Sequence, residues 1–336
     1  MTTNLGTTKI VRFDEFGDAD VLKLEEEPIS ELAGNEVRIR IEAMSLNRAD
    51  ALFRSNKYVI QPTFPRSRIG TDAAGVIVAV GNDVKVLEVG DRVIAGLGFD
   101  MSKYGTHGET AILPAEFVHR YPDFLTPAEA ASINNPFVTA WGALIDQGEM
   151  NEGDHVVITA ASSSVGVAAI QLARAVGAIP IAVTRSGKKR HALLDAGAAH
   201  VVVTENVDLG ERVREITGGN GARLVFDAVG GKTLEALDGI AGNRSIVFLY
   251  GAFDLGSPPV PMIPAITKEI RIWGYMVYSV HNSPERLKRA FGYIYDTMRT
   301  KGMRPVIDKV FPLSEYAEAH RYLESNEQVG RVVVTV

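Results

Sequence analysis

From Thr126 onward, apolar runs alternate with helical patterns of ten or more residues. This alternation constrains the fold more than any single motif. A strand buried on both faces needs helices above and below it, and a doubly wound parallel sheet supplies them. The runs at 155–160, 179–184, 200–203, 224–229, 245–250 and 269–275 read as its six strands, with helices at 165–176, 188–196, 209–217 and 232–241. Before about residue 121 the pattern differs. Short β-branched runs at 37–42, 74–80, 92–95 and 109–113 sit between turn signals, as in a compact β barrel or sandwich. Past a Pro-rich stretch at 257–264, a helix at 284–300 and an alternating strand at 331–336 are expected to return to this first domain. The expected organisation is a substrate-side domain of residues 1–125 and 262–336 around a doubly wound domain of residues 126–261. A chain of 336 residues is long enough for both cores.

Bulk composition removes several function classes. Lys and Arg total 35 against 41 Asp and Glu, a formal charge of -6, so nothing electrostatic favours a nucleic-acid partner. There are no cysteines, hence no disulfide, no thiolate nucleophile and no Cys-ligated zinc. The seven histidines include no H-x-x-x-H pairing. The N-terminal residues lack the basic, apolar and small-residue segments of an export signal, so a cytoplasmic location is expected. The most apolar stretch, 156–184, contains Gln171, Arg174 and Ser162-Ser163-Ser164 and cannot be one membrane-spanning helix, so no membrane partner is expected.

After the first strand of the sheet comes Ala161-Ser162-Ser163-Ser164-Val165-Gly166, then a helix. A turn of small residues here aims backbone N–H groups and a positive helix end at a pyrophosphate, which makes Ser163, Ser164, Val165 and Gly166 candidate cofactor ligands in a Rossmann-type sheet. Ser163 stands where the middle glycine of G-x-G-x-x-G is usual. A tight strand-to-helix turn in some other doubly wound protein is the plainer alternative. The second strand ends in Thr184-Arg185-Ser186, without the acidic residue that holds the ribose of NAD. Arg185 with Lys188, Lys189 and Arg190 puts cationic donors where a 2'-phosphate would lie, with Ser186 among the cofactor candidates, so NADPH is the inferred cofactor. A solvated basic start to a helix is the competing explanation. Tyr250 and Gly251 close the fifth strand, at the sheet edge that opens onto a ligand crevice.

Together with Leu46-Asn47-Arg48-Ala49-Asp50, Gly70-Thr71-Asp72-Ala73-Ala74-Gly75, Gly90-Asp91-Arg92-Val93, Asp227-Ala228-Val229-Gly230-Gly231 and Val329-Gly330-Arg331-Val332-Val333, this turn gives the chain its family likeness. It resembles the medium-chain dehydrogenase/reductases, in particular the zinc-free, zeta-crystallin-like quinone oxidoreductases. The resemblance covers nearly the whole chain. It implies a GroES-like domain beside the Rossmann domain, a cofactor in the cleft, and a homodimer formed through the edges of two Rossmann sheets.

Zinc-dependent members of that family bind catalytic metal at positions where this chain has Asn47, Thr71 and Asn135. Neutral amide and hydroxyl groups are poor zinc ligands, so no metal is expected. The resemblance also implies that Asn47 and Tyr58 face the nicotinamide as hydrogen-bond donors to the acceptor, and that Thr139 lies at the ring. It brings the segment containing Trp273 to the carboxamide and Arg331 near the 2'-phosphate. Tyr58 could equally be a loop aromatic packed on its domain, Asn47 a turn residue, and Trp273 a core or interface aromatic. The implied reaction is hydride transfer from NADPH to a quinone or an α,β-unsaturated carbonyl. Alternatives are a ketone or enoyl-thioester reductase and, in another class, an NADPH-binding sensor or structural protein with little turnover. The loop at 57–61 and an insert at 96–106 depart from the quinone-reductase pattern and leave the acceptor open.

Overall fold

The computed structural model describes residues 6–254, 256 and 260–336, so the Pro-rich stretch falls partly outside the described residues. Strands β1 (Thr7–Phe13), β2 (Lys23–Pro28), β3 (Glu36–Ser45), β4 (Ser67–Arg68), β5 (Asp72–Val80), β6 (Arg92–Ala95), β7 (Thr110–Pro114) and β8 (Val118–Arg120) come first. They are followed by β9 (His155–Ile158), β10 (Ile179–Thr184), β11 (His200–Val203), β12 (Ala222–Asp227), β13 (Ala241–Leu249) and β14 (Arg271–Gly274). The chain ends with β15 (Ile307–Pro312) and β16 (Arg331–Thr335).

Two compact units result, one of residues 1–135 with 307–336 and one of residues 136–306. In the first, β3 is the organiser. One edge pairs antiparallel with β5, while the other is shared between β7 along Glu36–Arg40 and β16 along Ala43–Ser45. Ile39, Ile41, Met44, Phe53, Leu113 and Val334 build its core, where alternation along the strands turns their apolar faces inward. The terminal strand β16 lies in this unit, paired with β3.

In the second unit the sheet runs β11-β10-β9-β12-β13-β14 with every pairing parallel. Numbered within the unit this is the order 3-2-1-4-5-6 of the dinucleotide-binding fold, whose strand order reverses at the first strand. Val157, Ile181, Val225 and Val247 lie buried in its core. This partition and the sequence boundary at 261 differ over residues 262–306. β14 pairs with β13, and the helix Pro284–Lys301 is tied by Arg286 and Arg289 to Asp146, all inside the second unit. A single helix at 232–241 is also not observed. Lys232–Glu235 and Leu237–Ile240 are separate turns that meet at Ala236, and in the second Gly239 packs against the Gly210 backbone so closely that a side chain would overlap it.

Candidate active site

The phosphate turn follows β9. Ala160 takes φ +44°, a strained value for an L-residue, and the Ser163 N–H closes the bend on the Ala160 carbonyl at 2.9 Å. Ser163 is the N-cap of the helix Ser164–Val176, and its Oγ accepts from the Gly166 N–H at 3.1 Å. Its φ of -68° suits any L-residue, which explains how a serine stands where the motif has a glycine. Gly166 has no such latitude. A Cβ there would lie 2.6 Å from the Ala161 carbonyl oxygen and 2.7 Å from Ala161 Cα, so only glycine lets the helix sit this close to the turn. The first N–H groups of a helix lack intrahelical partners and sit at its positive end, so the residues present fit a diphosphate.

The end of β10 supplies the cations. Arg185 is exposed, and Ser186 caps the short turn Gly187–Lys189 by accepting from the Lys188 N–H. Lys189 reaches back so that its Nζ donates to Ser162 Oγ at 3.1 Å. A basic side chain from the second strand thus meets the phosphate turn. Arg190 has a structural use, donating to the Val201 carbonyl at 3.2 Å.

Tyr250 stacks on Phe226 with ring centroids 4.0 Å apart, and burial raises its pKa above the usual phenol value. Gly251 approaches protein backbone, since a Cβ would lie 2.8 Å from the Ala228 carbonyl oxygen. Asp227 is fully buried and organises the loop after β12, accepting from Thr159 Oγ1 at 2.5 Å and from the Val229 and Gly230 N–H groups at 3.0 Å. Trp273 lies 42% exposed on the edge strand β14 rather than in the core. Thr139 is buried in the helix Asn134–Ala140.

The first unit brings Asn47, Thr71, Asp72 and Arg331 together. Asn47 Nδ2 donates to Asp72 Oδ2 at 3.1 Å, with a longer 3.4 Å contact to Thr71 Oγ1, and its Oδ1 accepts from Arg331 Nη1 at 2.8 Å. Arg331 also donates to Ser45 Oγ at 2.9 Å and pairs with Asp72. The expectation that Arg331 sits near a 2'-phosphate is corrected here. Its side chain is 2% exposed and its donors are turned onto the first unit's own acceptors, because a buried guanidinium must be paired. Sequence reasoning did not single out Asp72 as a site residue. An acidic residue opening an apolar strand was the available signal, since a buried carboxylate implies a buried cation. Tyr58 packs against the first unit's core, and its carbonyl accepts from Gln61 Nε2 at 2.7 Å.

Asp50, three residues after Asn47, accepts from the Asn47 N–H at 2.8 Å and is fully buried. Burial first, then the neighbouring Asp72, pushes its pKa up to about 7, against the partial relief of Arg331. The folded state therefore holds this proton where the unfolded chain has released it. Stability from Asp50 is complete below about pH 4 and is lost as pH rises to about 7, by about 1.4 kcal/mol per pH unit. His107 opposes it, for burial lowers its pKa to about 3 and makes stability fall as pH drops below the usual imidazole value. Asp50→Asn is expected to gain stability relative to wild type as pH rises from 4 to 7 in thermal melts. A stability difference that is flat with pH would exclude Asp50 titration.

Among the described residues no group of three or more His, Cys, Asp or Glu could hold a metal ion. Residues 33–123 match the family described as alcohol dehydrogenase GroES-like domain, and residues 164–292 match zinc-binding dehydrogenase. The quinone oxidoreductase of Homo sapiens is 28% identical over 338 residues, covering 99% of both chains. The crystal structure of Escherichia coli quinone oxidoreductase complexed with NADPH superposes with a TM-score of 0.87 at 26% identity, over 98% of this chain and 100% of that one. An NAD-dependent alcohol dehydrogenase structure gives a TM-score of 0.87 at 30% identity, over 98% and 99%. The chain therefore belongs to the medium-chain dehydrogenase/reductase superfamily, and it is similar to quinone oxidoreductases along nearly its whole length. It also matches a mycocerosic acid synthase-like polyketide synthase of Mycobacterium tuberculosis at 32% identity, spanning 14% of that protein's length.

Proposed function

We propose that the protein is an NADPH-dependent oxidoreductase that reduces a quinone or an α,β-unsaturated carbonyl without zinc. The observation that supports this best is the Lys189 ammonium lying against the phosphate turn that Gly166 keeps open. Ser163, Ser164, Val165 and Gly166 hold the diphosphate, while Arg185, Ser186 and Lys189 hold the 2'-phosphate. NADPH, when bound, supplies the hydride. Tyr250, Gly251, Thr139 and the Trp273 strand form the rest of the cofactor wall. Tyr58 donates a hydrogen bond to the acceptor oxygen as negative charge develops there. Asn47 assists through the amide N–H that makes only the long contact to Thr71.

The test is NADPH and NADH consumption with 9,10-phenanthrenequinone, an alkenal and an aryl ketone, with Tyr58→Phe and Asn47→Ala alongside. Lys189→Ala is expected to raise the NADPH Michaelis constant roughly tenfold and leave that for NADH unchanged. A clear preference of the wild type for NADH would overturn the cofactor assignment. Tight NADPH binding with no oxidation by any acceptor would favour a sensor. The polyketide-synthase match favours an enoyl thioester as the second acceptor to try.

The protein is proposed to be a homodimer joined at β14. This edge strand carries Trp273, and the neighbouring helix Met262–Thr267 exposes Met262 (67%), Ile263 (70%) and Ile266 (66%). Exposed aliphatic side chains beside an unpaired sheet edge are an association surface. A monomer mass in light scattering would contradict this. No helix among the described residues is long and apolar enough to cross a membrane. On this proposal the protein works in the cytoplasm, which cell fractionation checks.

A further inference from the structure

The helix that carries Thr139 does not continue in α geometry. Asn134–Ala140 is α-helical, but Trp141–Gln147 is a seven-residue π-helix. Such segments are rare, and the extra residue per turn shifts the side chains before it out of phase with those after it. Second-unit side chains hold this one in place. Tyr275 is buried with its hydroxyl against Gly142, where a Cβ would overlap that hydroxyl and come within 2.6 Å of Val280 Cγ2. Further along, Asp146 is gripped by Arg286 at 2.7 Å and by Arg289 at 2.9 Å. Gly148 closes the segment, where a Cβ would lie 2.8 Å from the Ala143 carbonyl oxygen.

The arrangement has a visible cost. The Tyr275 hydroxyl and the Trp141 indole N–H are both buried with no hydrogen-bond partner among the described residues. Each such orphan costs on the order of 1–3 kcal/mol. A rare winding, fixed by packing from several sides and kept beside unpartnered buried groups, points to a geometric requirement nearby.

We propose that the π-helical segment Trp141–Gln147 is a positioning element, with Gly142 and Tyr275 as its positioning residues. It lets Asp146 anchor to the helix Pro284–Lys301 while Thr139, seven residues upstream, faces the nicotinamide. This rests on the cofactor reading given above. The strand end is coupled to the same device, because the Tyr275 N–H donates to the Leu249 carbonyl at 2.8 Å while its ring reaches the π-helix.

The experiment compares Gly142→Ala, the double variant Gly142→Ala with Tyr275→Phe, and Asp146→Asn. For each, NADPH affinity, kcat and KM for 9,10-phenanthrenequinone, and Tm are measured. Gly142→Ala is expected to lower NADPH affinity or kcat at least about tenfold, since misplacement by about 1 Å costs that much or more. Removing the Tyr275 hydroxyl in the double variant is expected to restore part of the loss, the Val280 Cγ2 contact remaining. Asp146→Asn, which inserts no bulk, is expected to act in the same direction and serves if Gly142→Ala does not fold. A folded Gly142→Ala with wild-type affinity and kcat would overturn the proposal. So would loss of Tm alone in Asp146→Asn. If the wild type itself binds no NADPH, the cofactor reading fails first, and that result is distinct from either outcome.

Discussion

Gly166→Val is expected to abolish measurable NADPH binding while the first unit stays folded. The β-carbon alone would sit 2.6 Å from the Ala161 carbonyl oxygen and 2.8 Å from that of Ala160, and both contacts are to backbone that has nowhere to move. The helix Ser164–Val176 must then slide away from β9. That displaces Ser163 Oγ from the Gly166 N–H and turns the positive helix end off the diphosphate. Overpacking of this kind costs on the order of 1–3 kcal/mol in stability. The loss in affinity should be larger than the stability effect suggests, about 100-fold or more, because binding depends on placement to within about an ångström. Titration by nicotinamide fluorescence measures it. An affinity within threefold of wild type would mean that the phosphates are bound elsewhere.

Arg331→Met should lower the melting temperature of the first unit by roughly 10 °C, from the 3–5 kcal/mol lost when a buried ion pair loses one partner. Asp72 is 1% exposed, and the methionine would leave its carboxylate with Asn47 as its remaining side-chain donor. Arg331→Met combined with Asp72→Asn removes both charges and should recover most of the melting temperature, since an apolar or neutral replacement of a buried pair is often well tolerated. The ratio of NADPH to NADH Michaelis constants should not change in either variant, because the guanidinium is turned onto Ser45, Asn47 and Asp72. A selective loss of NADPH preference would restore Arg331 to the phosphate site. Calorimetry and the two Michaelis constants distinguish these cases.

Much of the second unit was legible in the residues themselves. Periodicity and small-residue turns are local properties. A run such as Ile179–Thr184 between two helical patterns has few ways to bury itself other than as an inner strand of a doubly wound sheet, and it is one. Gly166 was legible for the same reason, since a strand-turn-helix of this length leaves no room for a side chain at its seam. The basic run after β10 could be found too, but not the division of labour within it. Lys189 turns onto Ser162 while Arg190 turns onto Val201, and this depends on which way each side chain leaves a short helical turn.

What only the tertiary structure decided involves partners far apart in sequence. Arg331 and Asp72 are 259 residues apart, and no local pattern states that β16 will lie along β3 and bring them into contact. The π-helix is of the same kind. Residues 141–147 contain one residue that disfavours a helix, Gly142, but nothing in them selects π over α winding, and it is Tyr275, Arg286 and Arg289, arriving from more than a hundred residues downstream, that accompany the altered winding. Short-range propensities set which segments become strands and helices. The pairing of buried charges and the phase of a helix are settled by long-range packing, where burial makes an unpaired group too costly to leave.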